Sequence, residues 1–190
     1  FTRAYATSPV CSTFRSALIT GMYQTAIGTH HHRSGRGKHR ISLPAGVKPV
    51  PQLFQEAGYY TCIGSGLLDL DYRSQPFTDR SRGRMGKTDY NFDWKRSIYD
   101  DNDWSGRRAG QPFFMQVQLH GGKLRGASAE AYVAFEQQVN SIVGEATDFG
   151  NVLLPPYYPA ERILVQDCSL NHDSVRVTDY HIGRVLQRLE

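Results

Sequence analysis

The sequence predicts an α/β domain with a mainly parallel sheet flanked by helices. Helical and strand-like segments alternate along its 190 residues, and two short aromatic and β-branched runs have the composition of buried strands. With 39% hydrophobic and 21% charged residues, the chain has the composition of one globular unit, which excludes a disordered, collagenous or coiled-coil protein. No apolar stretch reaches the roughly 18 residues of a membrane span, so we expect none.

The first predicted helix covers residues 12–21, where apolar side chains recur at helical spacing. Ser8 or Ser12 can cap its start, and Gly21 can end it. Cys11 is therefore expected at the helix N-terminus.

A loop, a helix and a strand follow in that order. Residues 33–46, rich in Arg, Gly and Ser, predict a surface loop. Residues 50–57 predict an amphipathic helix ended by Gly58, and residues 59–63 have strand composition. A helix is thus expected to lead into a buried strand.

The second half begins with an irregular stretch. Residues 64–111 predict loops and short strands, with a solvated turn at residues 100–103. Pro112 then precedes a strand-like run over residues 113–119, and a Gly pair follows it.

The last third is predicted to be largely helical. Residues 127–143 favour a helix, and a Pro-rich segment separates it from a longer helix within residues 160–190. A mostly apolar stripe is expected on this longer helix, at Leu164, Cys168, Asn171, Val175, Thr178, Ile182, Val185, Leu186 and Leu189. The strands are few for so many helices, so we expect residues 1–190 to form one unit that is incomplete at both ends.

The positive charges are concentrated at the start of the chain. The net charge is +4, and residues 1–55 hold seven cations and no acid. Such a segment attracts an anion, whether a nucleic acid, a phosphate or a sulfate ester. The three cysteines are too irregularly spaced for a disulfide framework or a zinc motif.

Residues 8–23 carry the most chemical information. A cysteine at a helix start benefits from the positive end of the helix dipole, which favours an activated nucleophile or a bound anion. Arg15 follows Cys11 by one helical turn and could hold that anion. Without further context, the simpler interpretation is that Cys11 is a small buried residue and Arg15 a surface cation.

The context is a series of ordered motifs that resembles the sulfatase family. The family signature is matched at Cys11, Arg15, Leu18, Thr20 and Gly21. Further segments match in order at residues 43–47, 50–61, 63–64, 86–87, 112–114, 155–157, 173–175 and 183–186. The resemblance implies an alkaline-phosphatase-like fold and a partial sulfatase catalytic domain over residues 1–190.

The resemblance also implies a mechanism for sulfate ester hydrolysis. Cys11, converted to formylglycine by a formylglycine-generating enzyme, would be the nucleophile and a ligand of a bound Ca²⁺. Arg15 would be catalytic, and Lys87 would bind the sulfate. The other calcium ligands would lie outside this chain, so the chain alone is expected to be inactive. Sulfatases of this kind are secreted or periplasmic, and neither a nucleic acid nor a membrane is an expected partner.

Several residues depart from the family pattern. Thr13 and Phe14 replace the Pro and Ser of the signature, and Asp89 stands where the family has a histidine. The resemblance places Asp89, His120 and Lys123 among the substrate-binding residues. One of the three consecutive histidines, residues 30–32, is also expected to contact substrate.

Two other functions remain open at this point. The chain could be a non-catalytic relative that binds sulfated glycans. Its basic first 55 residues could also form a nucleic-acid-binding module, although they lack the interleaved aromatic residues that stack on bases.

Overall fold

The computed structural model describes residues 3–67, 87–119 and 128–190. It contains four α-helices, α1 (Cys11–Thr20), α2 (Val50–Glu56), α3 (Ala129–Val143) and α4 (Arg162–Gln187). Two strands, β1 (Tyr60–Gly64) and β2 (Phe113–Val117), pair in parallel from Tyr60 opposite Phe113 to Gly64 opposite Val117. The predicted α/β class with a parallel sheet is therefore confirmed.

Contacts divide the chain into two compact units, Phe1–Gln118 and Leu119–Glu190. The first unit holds α1, α2 and the sheet, and the second holds α3 and α4. That residues 1–190 belong to one catalytic domain stays a prediction, because this division into units does not test it.

The sheet is completed on one side by a segment that the sequence analysis assigned to a solvated turn. The Asp100 carboxylate accepts the backbone N–H of Thr61 at 2.8 Å, and the N–H of Ile63 donates to the carbonyl of Asp101 at 3.0 Å. The turn interpretation is wrong, because these acidic residues bind the free edge of β1 and satisfy its backbone groups.

The second unit is a helix pair around a small core. Phe135 and Val139 of α3 pack against Leu170 and Val177 of α4, and both valines are fully buried. The predicted stripe on α4 is wrong in part, since most of its apolar members are exposed: Val175, Ile182, Leu186 and Leu189. The buried face instead includes Asp173, whose carboxylate accepts the N–H and hydroxyl of Thr147 and thereby fixes the loop before α4.

Candidate functional site

The candidate site lies at the N-terminus of α1. Cys11 is the first residue of this helix and is half-buried, and the N-cap residue is Val10, which makes no side-chain cap. The predicted capping by Ser8 or Ser12 is wrong, because the Ser8 hydroxyl pairs with Thr13 Oγ1 at 2.9 Å. Because no side chain caps the helix, the positive end of its dipole can act on a group bound next to Cys11.

Ser12 connects this helix to the segment of residues 29–35, which we call the basic loop. The Ser12 hydroxyl lies 3.0 Å from His32 Nδ1 and accepts the backbone N–H of Arg33 at 2.8 Å. His30 and His31 instead contact each other, with ring centroids 4.3 Å apart. Of the three histidines, His32 is thus the one bound to the start of α1.

Asn91 holds the basic loop in place and is fully buried. Its side chain makes four hydrogen bonds to the loop, with the carbonyls of Thr29 (3.3 Å) and His31 (2.6 Å), the hydroxyl of Ser34 (2.9 Å) and the N–H of Gly35 (2.7 Å). Its backbone N–H also donates to the Ser16 hydroxyl of α1 at 2.8 Å. A single buried amide therefore joins α1, the basic loop and the segment after Lys87.

Arg15 and Lys87 meet beside the helix N-terminus. Nη1 of Arg15 donates to the backbone carbonyl of Lys87 at 2.5 Å, across 72 positions of sequence. Because Arg15 lies one turn after Cys11, this contact brings Lys87 to the same end of α1.

A buried carboxylate lies between two cations at this site. Oδ2 of Asp89 is 3.4 Å from Nζ of Lys87, and Oδ1 is 3.8 Å from Nε of Arg33. The Asp89 side chain is 0% exposed, whereas those of Arg33 and Lys87 are 49% and 41% exposed. A carboxylate this deeply buried is stabilised by nearby positive charge, and it can in turn hold the two cations in place.

The backbone of this ion pair has an uncommon conformation. Arg33 (φ 57°) and Asp89 (φ 54°) are the two non-glycine residues with positive φ in the ranges that the structure describes. This conformation costs side-chain-bearing residues about 1–3 kcal/mol each and persists where surrounding contacts impose it. The bonds from Ser12 and Asn91 are contacts of that kind.

The segment that carries Lys87 and Asp89 is anchored in the core by the next residue, Tyr90. Its hydroxyl lies 2.8 Å from the hydroxyl of Tyr99, and both are within 3.0 Å of Oε1 of Gln116 on β2. Burial raises the pKa of both tyrosines, so they remain neutral hydrogen-bonding groups. Tyr90 also packs with Ile19 of α1, which links the core directly to the site.

The structure thus brings together three of the residues singled out from the sequence, Arg15, Lys87 and Asp89, and Cys11 lies one turn before Arg15 on α1. His120 and Lys123 lie outside the described residues. Sequence reasoning missed three contributors, Ser12, Arg33 and Asn91. The first 55 residues contain cations and no acid, and this pattern indicated that Arg33 could bind an anion. No sequence pattern indicated Asn91.

The described residues do not form a calcium site. Within residues 3–67, 87–119 and 128–190, no group of three or more His, Cys, Asp or Glu side chains could hold a metal ion. The buried carboxylate of Asp89 faces Arg33 and Lys87, whose charges would oppose a metal ion there.

A family model described as sulfatase matches residues 1–190. The chain belongs to the sulfatase family. Its fold is therefore of the alkaline-phosphatase-like α/β class, as the motifs predicted. Members of the family generally use a metal ion.

Two curated relatives are similar to the chain. An ulvan-active sulfatase of Formosa agariphila is 25% identical over 98% of this chain and 34% of its own length. An uncharacterized sulfatase of Escherichia coli, YidJ, is 36% identical over 36% of this chain and 13% of its own length. The chain thus spans about a third of the first relative. No solved structure matches it. In the described part of the chain, no helix combines the length and apolar character needed to cross a membrane.

Proposed function

We propose that the protein that carries this chain is a sulfuric ester hydrolase, in which Cys11, converted to formylglycine, attacks the sulfur of a sulfate monoester. The observation that carries this proposal is the contact between Arg15 and the backbone of Lys87 beside the Cys11 end of α1. This contact supports the proposal because it joins Arg15, one turn after the family nucleophile position, to Lys87, and a helix N-terminus stabilises an anionic group.

The proposed reaction has two steps. A hydroxyl of the hydrated aldehyde attacks sulfur, the ester S–O bond breaks, and the alcohol leaves with a proton. The remaining hydroxyl then loses its proton and reforms the aldehyde, and this expels the sulfate from residue 11. Water rehydrates the aldehyde and returns the site to its starting state.

The side chains around Cys11 have distinct roles in this proposal. Arg15 and Lys87 stabilise the negative charge on the sulfate oxygens while the ester bond breaks. Asp89 holds Lys87 in place through the 3.4 Å ion pair, a role suited to a carboxylate that is completely buried. Direct contact of Asp89, His120 and Lys123 with substrate stays a prediction.

The proposal also includes the groups that act on or with the chain. A formylglycine-generating enzyme would convert Cys11, and Ca²⁺ would be the metal of the complete protein, polarising the sulfate oxygens. Because the described residues form no calcium site, no step above depends on that ion. Ulvan, on which the Formosa agariphila relative is active by name, is the first polymer to test as substrate.

The test compares hydrolysis of 4-methylumbelliferyl sulfate by the wild-type protein and by Cys11→Ala. We expect the variant to lose all turnover above background, while Cys168→Ala, at a half-buried cysteine of α4, retains it. Equal turnover by wild type and Cys11→Ala would overturn the proposal. Tight binding of sulfated glycans without turnover would instead support the non-catalytic alternative.

A further inference from the structure

We infer that Arg33 binds a second anionic group of the substrate, a carboxylate or another sulfate on the alcohol that is released. This inference rests on the proposed function and names the class of sulfate ester that the site prefers. It starts from a residue that the signature motifs do not include.

The position of the Arg33 backbone is fixed before any substrate arrives. Its N–H donates to Ser12, the residue next to Cys11, and the loop on both sides of it is bonded to Asn91. Its left-handed φ of 57° shows that these contacts outweigh its intrinsic preference. The guanidinium group therefore extends from a rigid support, which reduces the entropy lost on binding.

The side chain of Arg33 is suited to bind a ligand. It contacts the buried Asp89 through Nε at 3.8 Å, and about half of the side chain is exposed. A guanidinium group presents several donors in one plane, and a carboxylate or sulfate can accept two of them at once. Arg33 can therefore keep its ion pair and bind an anion with its outer nitrogens.

The charges of the cluster favour more than one substrate anion. Two cations, Arg33 and Lys87, pair with one carboxylate, that of Asp89, and a third cation, Arg15, donates to the backbone carbonyl of Lys87. A sulfate monoester carries a single negative charge, so it leaves one positive charge of this cluster without a counterpart. A second anionic group on the same substrate supplies the negative charge that balances it. Arg33 is the cation on the opposite oxygen of Asp89 from Lys87, so it is the one suited to this group.

The experiment uses two esters that differ by one carboxylate, phenyl sulfate and 3-sulfooxybenzoate. We expect the wild-type protein to have a higher kcat/KM for 3-sulfooxybenzoate, and Arg33→Gln to lower the ratio of the two kcat/KM values roughly tenfold. Arg40→Gln is the matched control, because this exposed arginine pairs with Asp93 at 3.4 Å. It should leave the ratio unchanged. An unchanged ratio in Arg33→Gln would overturn the inference.

A binding measurement separates this inference from the proposed function. The affinities of both esters are measured by calorimetry for Cys11→Ala with and without Arg33→Gln, since these variants need no turnover. A preference for 3-sulfooxybenzoate that disappears with Arg33→Gln supports the inference even if the wild-type protein hydrolyses neither ester. Equal affinities, or no binding of either ester, would contradict it. Phenyl phosphate, whose reacting group is a dianion, is measured in the same way. If Arg33→Gln weakens the binding of phenyl phosphate alone, Arg33 binds a dianionic reacting group and the inference is overturned.

Discussion

Gly35 is in direct contact with Asn91, the residue that holds the basic loop. The N–H of Gly35 donates to Oδ1 of Asn91 at 2.7 Å, and a Cβ atom at Gly35 would lie 2.5 Å from the Asn91 carbonyl oxygen. The atom that would clash with this Cβ belongs to the backbone, which cannot move aside as a flexible side chain can. Residue 35 must therefore lack a side chain for the loop to dock.

Gly35→Ala should therefore destabilise the protein. We expect the free energy of unfolding, measured by urea denaturation, to fall by about 1–3 kcal/mol, the usual cost of overpacking. Gly37→Ala is the matched control, because nothing lies within 4 Å of a Cβ at that position. If both variants lose the same stability, the close contact with Asn91 does not restrict residue 35.

Removing the Asn91 side chain should release the basic loop. Asn91→Ala leaves buried loop groups without partners, at about 1–3 kcal/mol for each group that water cannot reach. Hydrogen exchange should show faster exchange of the Gly35 amide. Asn151→Ala is the control, since the side-chain amide of this exposed residue donates to the Asp148 side chain at 3.2 Å, within a surface turn. Unchanged protection of Gly35 in Asn91→Ala would contradict the anchoring role.

Loss of either cation beside Cys11 should reduce catalysis more than binding. Arg15→Ala and Lys87→Ala should each lower kcat for an aryl sulfate by on the order of a hundredfold, as removal of a preorganised charge at a reacting centre does. Arg40→Ala should retain wild-type kcat. Near-normal turnover in both site variants would show that the family roles do not apply to these residues.

The chemical state of residue 11 can be read directly by mass spectrometry. In active protein from its own host, the tryptic peptide with Cys11 should be lighter than its sequence mass, and it should react with a hydrazide probe. The peptide with Cys168 provides the control and should retain its thiol mass. An intact Cys11 thiol in active protein would exclude the formylglycine mechanism.

Stability should decrease at alkaline pH because of Cys62. Burial raises the pKa of this thiol to about 12, above the value of about 8.5 for an unfolded chain. The folded state therefore holds this proton more tightly, so its contribution to stability is complete below pH 8.5 and is lost as the pH rises toward 12. Melting temperatures from pH 7 to 11 should fall less steeply for Cys62→Ala than for Cys168→Ala. Identical slopes would argue against a buried thiol at Cys62.

Most elements of the fold could be predicted because their signals are local. α1 begins within one residue of the predicted start and ends before Gly21, whose φ of 64° suits glycine. The edge contact of residues 100–101 with β1 was missed, because acidic residues in sequence give no indication that a strand backbone lies beside them. The buried face of α4 was misassigned for a related reason, since Asp173 is buried by its bonds to a distant loop.

Only the residues of the candidate site that belong to sequence motifs could be predicted. Cys11 and Arg15 share one helix, so their proximity follows from helical geometry. The approach of Arg15 to Lys87, and of Arg33 to Asp89, depends on tertiary contacts between segments more than 50 residues apart, which no local pattern specifies. Asn91 could not be recognised, because a buried amide acquires its role from partners that only the folded chain assembles.

The way Asn91 binds the basic loop has a consequence for how substrate preference could change during evolution. Asn91 bonds to backbone groups at Thr29, His31 and Gly35, so these bonds do not depend on the side chains of His30 and His31. Substitutions there could alter charge, size or hydrogen bonding beside the nucleophile while the framework stays intact. Relatives that keep Asn91 and Gly35 should therefore diversify at these two positions, each exchange producing a different specificity on the same scaffold.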